Sequence, residues 1–94
     1  MPLFMDEHRG LEGLTATVVA EVQRMDLAVQ ERFGVRFRGR WFDEITGTLF
    51  CLAEAPTRES VEAVHRAAHG LRAHRIVRVE ACPATPGSEG GIER

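Results

Sequence analysis

Residues 35–53, VRFRGRWFDEITGTLFCLA, decide the fold. Over 35–44 apolar and basic side chains alternate, with Val35, Phe37 and Trp41 on one parity and Arg36, Arg38 and Arg40 on the other. Only a strand sorts such a pattern cleanly onto two faces. Thr46-Gly47 supplies a turn, and residues 48–53 return as an apolar strand, so the segment reads as a β-hairpin.

Upstream, residues 3–8 form a short run opened by Pro2 and closed by the Gly10 to Gly13 loop, which suits a strand. Thr15 is a helix N-cap, with Leu14 and Val19 spaced as a hydrophobic staple. Val18, Val22, Met25, Val29 and Phe33 then mark one face of a helix that reaches about Arg32 and stops at Gly34. Downstream, Pro56-Thr57 opens a second helix whose buried stripe is Val61, Val64, Ala68 and Leu71, ending at Gly70. Residues 76–81 form a last strand, and the Pro-, Gly- and Ser-rich 82–94 read as a flexible tail. The order β-α-β-β-α-β, with right-handed crossovers, predicts an α+β ferredoxin-like sandwich. It comprises a four-stranded antiparallel sheet with two helices on one face, strands one and three central, in a single domain over residues 1–81.

The chain has 94 residues and a formal charge of −2, room for one small core and no interdomain cleft. All the basic residues are Arg. The absence of Lys excludes a Schiff-base mechanism and a Walker-type phosphate lysine. Cys51 and Cys82 form no framework, which points to a reducing compartment. With no long apolar run and no signal-like start, the expected location is cytoplasmic, without membrane attachment.

Read by strict alternation, Leu3, Met5, Val35, Phe37, Trp41, Val77 and Val79 face the helices. Phe4, Asp6, His8, Arg36, Arg38, Arg40, Phe42, Ile76, Arg78 and Glu80 then occupy the open face. Such a mixture of apolar anchors and paired charges predicts a homodimer through the open sheet face.

His65 and His69 lie one turn apart on the second helix, a spacing that can chelate zinc, nickel or copper. They are expected at the edge of the apolar stripe, reachable from solvent. Two boundary histidines, one capping the helix end, fit the same spacing, and on spacing alone this plainer reading is preferred. Asp6 and His8 share one face of the first strand and form a second possible ligand pair, or a polar strand end. His74 reads as a surface residue, Cys51 as a small core hydrophobe, and Asp26 as solvated. The element order matches the RNA-recognition module, but GTLFCLAE on strand three lacks its basic-aromatic signature, so no nucleic-acid partner is expected.

Four segments, PLFMDEHRGLEGLT, FGVRF, FDEITGTLFCLAEAP and VHRAAHGL, together resemble a family of small bacterial nickel-binding proteins, first catalogued as a domain of unknown function. The resemblance runs from about Met1 to Ala81, its most specific piece being FCLAEAP followed by H-x-x-x-H-G. It implies a ferredoxin-like dimer that binds Ni²⁺, or another divalent ion such as Zn²⁺, at its surface through histidine and carboxylate side chains, for sequestration or tolerance, with no established catalysis. It implies His65, His69, His8 and Asp6 as metal ligands. Relatives often carry a His three residues before the position of Asp26, where this chain has Gln23, a poor nickel ligand. By fold analogy, a second reading is a dimeric isomerase or oxygenase with a small-molecule cleft between sheet and helices, using Cys51, His65, Asp26 and the Arg-rich face. A cavity reaching both Cys51 and His65 would favour it.

Overall fold

The computed structural model describes residues 1–82. Its elements are β1 (Leu3–His8), α1 (Ala16–Val29) continued by a 3₁₀ turn (Gln30–Phe33), β2 (Arg36–Asp43), β3 (Thr48–Glu54), α2 (Arg58–Ala68) and β4 (Arg75–Val79). The sheet order is β2-β3-β1-β4, every pairing antiparallel, with β3 and β1 in the middle. The ferredoxin-like α+β expectation therefore holds. Most of the expected tail, from residue 83 onward, lies outside the described residues, while Cys82 is exposed.

Local chemistry fixes the helix ends. Thr15 accepts from the Val18 N–H, and its staple partners Leu14 and Val19 are both buried in one cluster. Thr57 and Ser60 form a reciprocal capping box at the start of α2. Gly34 takes φ 70°, the left-handed conformation that closes the 3₁₀ turn after α1. Gly47 is the stricter case: at φ 66° in the β2–β3 turn, a Cβ there would lie 2.5 Å from the Leu11 carbonyl oxygen.

The facing of the strands corrects the sequence reading. On β1, Phe4, Asp6 and His8 point toward the helices, while Leu3, Met5 and Glu7 lie on the open face. The apolar residues of β1 occupy both parities, so alternation alone left its orientation undetermined, and polar Asp6 and His8 are buried against expectation. On β2 the register jumps between Phe37 and Gly39, a β-bulge that inserts one residue and reverses the parity beyond it. Trp41 consequently lies outside, 53% exposed, where its ring covers the space a Cβ on Gly39 would need. Arg40 and Phe42 share the face of their register partners Cys51 and Leu49 and turn inward. Of the β4 residues, Ile76 packs into the core, while Val77 and Val79 pair with Met5 and Leu3 on the open face. Phe4, Phe42 and Ile76 therefore cannot anchor a partner on that face.

The core has two apolar clusters. One gathers Phe4, Val35, Ala53, Ala55, Val61 and Val64, and the other Leu14, Val19, Val22, Leu49 and Cys51. Along α1, Asp26 falls between Val19 and Val22, which feed one cluster, and Val29, which packs against the other; on α2, His65 follows Val61 and Val64 of the first cluster. The α1 stripe runs through Val19, Val22 and Asp26: Val22 lies on the expected face, whereas Val18 is exposed and Val19 takes its place.

Candidate metal centre

A connected group of ionisable side chains fills the space between sheet and helices. Asp6 and Asp26 are fully buried, His8 and His65 nearly so, and Arg40 retains 3% exposure. Charges so placed are stable only when paired and hydrogen-bonded. His65 stands at the centre: its Nε2 lies 2.7 Å from Asp6 Oδ2 and its Nδ1 3.1 Å from Asp26 Oδ1. Asp26 also accepts from Arg40 Nη2 at 2.6 Å and from His69 Nε2 at 3.0 Å. Arg40 Nη1 donates to Cys51 Sγ at 3.3 Å, and its guanidinium stacks over the Phe37 ring.

The protonation states follow from these partners. Burial by itself would push the His65 imidazolium toward neutrality, but hydrogen bonds to Asp26 and Asp6 outweigh it and raise its pKa to about 11. His8 is likewise raised to about 9, burial being outweighed by Asp6. Burial would raise the Asp6 carboxyl, yet His65 and His8 hold it down at about 2. Asp26 is held well below the usual carboxylate range by His65, His69 and Arg40, again against burial. The metal-free centre is thus a set of carboxylates interleaved with cations.

Its hydrogen bonds also determine which lone pairs are free. The Arg72 carbonyl can only accept, so His8 Nδ1, 3.1 Å away, carries a hydrogen. His8 Nε2 then faces Asp6 Oδ1 at 3.2 Å, an ion-pair contact that is not a well-directed hydrogen bond. His69 is arranged the opposite way: its Nδ1 accepts from the Leu71 N–H at 3.1 Å, and its Nε2–H donates to Asp26.

Two groups of donors lie within 4.8 Å of one another: Asp6, His8, Cys51 and His65, and separately Asp26, His65 and His69. All the residues expected from the sequence, His65, His69, His8 and Asp6, therefore converge, although His65 is a core residue rather than a reachable one. Asp26, expected as solvated, and Arg40, expected on the open face, are buried instead, while Cys51 packs in the core as expected and also lies within reach of the centre. Asp26 was detectable as the acid on the α1 apolar stripe, and Cys51 as a thiol flanked by the inward residues Leu49 and Ala53. Gln23, one turn before Asp26, is exposed. A cavity of about 250 Å³, lined by residues including Glu62, His65 and Leu71, opens onto His65 from the α2–β4 side, and Cys51 is not part of its wall.

Comparison with known proteins gives a consistent picture. The family described as "Nickel responsive protein SCO4226-like" matches residues 4–79. Among solved structures, the chain is similar to SCO4226 from Streptomyces coelicolor A3(2), with 38% identity and a TM-score of 0.81, covering 86% of this chain and 99% of that one. No curated protein matches the chain.

Proposed function

Because this chain belongs to the SCO4226-like nickel responsive protein family, we propose that it binds a divalent transition metal, nickel foremost, in the polar centre around His65. The observation that carries this reading is the convergence of imidazole, carboxylate and thiol donors in an otherwise apolar interior. Imidazole nitrogen suits nickel and zinc, and Asp6 Oδ1 and His8 Nε2, 3.2 Å apart without a well-directed hydrogen bond, are two buried groups that a cation could engage together. His65 is common to both donor groups. Asp6 and His8 complete it from the sheet side, Asp26 and His69 from the helix side.

The cavity beside His65 gives an ion a path inward, and the absence of Cys51 from its wall favours an ion over an organic substrate in the sheet–helix cleft. The role is sequestration or tolerance of the metal rather than catalysis. Calorimetric titration with nickel and zinc tests the reading. His65→Gln, which keeps a polar side chain at the centre, should abolish tight binding, whereas unchanged nickel affinity in that variant refutes it.

The protein acts as a homodimer through the open sheet face. Leu3, Met5, Phe50, Leu52, Val77 and Val79 line that face with exposed Trp41, and the Arg38–Glu54 ion pair (3.5 Å) lies at its edge. A largely apolar surface of this kind, with Glu7 and Arg75 toward one end, suits a self-complementary two-fold interface. Light scattering should give twice the chain mass for the natural protein and a monomer for Leu52→Asp; a monomeric natural protein contradicts the dimer.

A further inference from the structure

Arg40 carries a donor that the centre leaves unanswered. Its Nη2 is taken by Asp26 at 2.6 Å and its Nη1 by Cys51 Sγ at 3.3 Å, but its Nε is buried without a hydrogen-bond partner. An unpaired N–H on a buried cation is costly, and one that persists in a native fold points to an acceptor supplied from elsewhere. Arg40 also lines a groove of about 400 Å³ between α1 and β2, walled by Val19, Ala20, Leu27 and Phe42. We propose that this groove binds a small organic acid, whose carboxylate accepts from Arg40 Nε while its compact apolar body lies between helix and strand.

Charge selects an anion. Among the described residues Asp26 is the one carboxylate paired with Arg40, and it also serves His65 and His69, so the guanidinium is only partly matched. A second carboxylate completes it with a charge-assisted hydrogen bond. The supply of donors then selects a carboxylate over phosphate or sulfate. Arg24, on the groove wall, is engaged by Glu21, which leaves Arg40 Nε and the Gln23 amide, a donor for each carboxylate oxygen.

Local structure prepares the place. The bulge between Phe37 and Gly39 turns Arg40 inward, and the Phe37 ring, its centroid 4.6 Å from the guanidinium carbon, stacks against it. Leu27 and Phe42 remain 43% and 38% exposed, apolar surface that a ligand body removes from water. Gln23 is exposed and makes no side-chain hydrogen bond among the described residues, so it is the side chain that swings to uncover Nε as the acid enters. The groove shares no lining residue with the cavity beside His65, so occupancy of one does not require the other.

The test uses the full chain, stripped of metal by chelator and dialysed, and titrated with benzoate, with hexanoate and with benzamide as the uncharged control. In ¹H–¹⁵N spectra the Arg40 Nε–H signal and the backbone amides of Gln23, Leu27 and Phe42 should shift and saturate together. Affinity for benzoate should exceed that for benzamide at least about tenfold, the contribution of a hydrogen bond to a charged group. Arg40→Met should lose that preference. Because this change also strips Asp26 of a partner, Ala20→Glu is the second variant. Glu suits an exposed helix position, leaves the Arg40 contacts in place and puts a carboxylate of the chain's own at the groove; it should weaken benzoate binding at least about tenfold in a folded protein. An Arg40 Nε–H signal that neither acid moves, equal affinity for benzoate and benzamide, or undiminished benzoate binding in Ala20→Glu overturns the proposal.

Discussion

Replacing Asp26 by Asn should destabilise the metal-free protein severely, because the carboxylate answers three buried donors at once. It accepts from Arg40 at 2.6 Å, His65 at 3.1 Å and His69 at 3.0 Å, and none of these side chains can turn to water. An amide keeps one acceptor oxygen, but its NH₂ group meets donors, and the Arg40 charge is left without a counterion. Orphaning a buried charge in this way costs about 3–5 kcal/mol. A small domain holds only about 5–15 kcal/mol in total. At roughly 4–8 °C per kcal/mol for a domain of this size, the melting temperature should fall by about 12–40 °C. The assay is urea and thermal unfolding followed by circular dichroism, with chelator, at about pH 5.5, below the ordinary histidine pKa of about 6.5. Removing the orphaned charge as well, in Asp26→Asn/Arg40→Met, should recover a substantial part of the loss. A cost below about 1 kcal/mol for Asp26→Asn, or strictly additive effects in the double variant, would refute the idea that the centre is held by charge pairing.

The remaining expectations concern pH and the turn. His8 and His65, raised to about 9 and about 11, contribute stability that is complete below about pH 6.5 and is lost as pH rises through those values. Asp6, lowered to about 2, contributes above its ordinary value of 3.8 and loses that contribution as pH falls through about 2. Unfolding free energies measured with chelator should therefore be greatest between about pH 4 and 6.5 and decline on the alkaline side; a maximum near pH 9 would contradict the protonation states. Nickel must displace both imidazolium protons, so between about pH 6 and 8 its apparent affinity should rise about a hundredfold per pH unit. Calorimetry in buffers of different ionisation enthalpy counts those protons directly, and fewer than one released per ion would be inconsistent. Gly47→Ala should cost about 1–3 kcal/mol in a thermal melt, since the φ of 66° and the Leu11 carbonyl 2.5 Å from a Cβ leave the backbone to give way.

The element order was legible in the sequence because it is written in local signals. Thr15, Gly34, Thr57 and the Thr46-Gly47 turn act within a few residues, and all appear where expected. The facing of the strands was not legible, for two physical reasons. Leu3, Phe4 and Met5 place apolar side chains on both parities of β1, so hydrophobic alternation could not tell that Asp6 and His8 turn inward. On β2 the bulge beside Gly39 reversed the pattern, and a one-residue insertion moves every later side chain to the opposite face. That reversal brought Arg40 into the interior. The centre itself was half visible: His65 and His69 announced themselves by spacing, and Asp6 and His8 by sharing a strand face. The partners of Asp26 and the Arg40 contact of Cys51 lie distant in the chain, so local spacing could not show them.

The central claim is that metal binds at the buried centre and not at scattered surface histidines. Anomalous diffraction at the nickel edge, from crystals grown or soaked with nickel, tests it most directly. The account predicts a strong peak within bonding distance of His65 Nε2, between β1 and α2. Nickel peaks confined to exposed side chains such as His74, with the space around His65 empty, would contradict it.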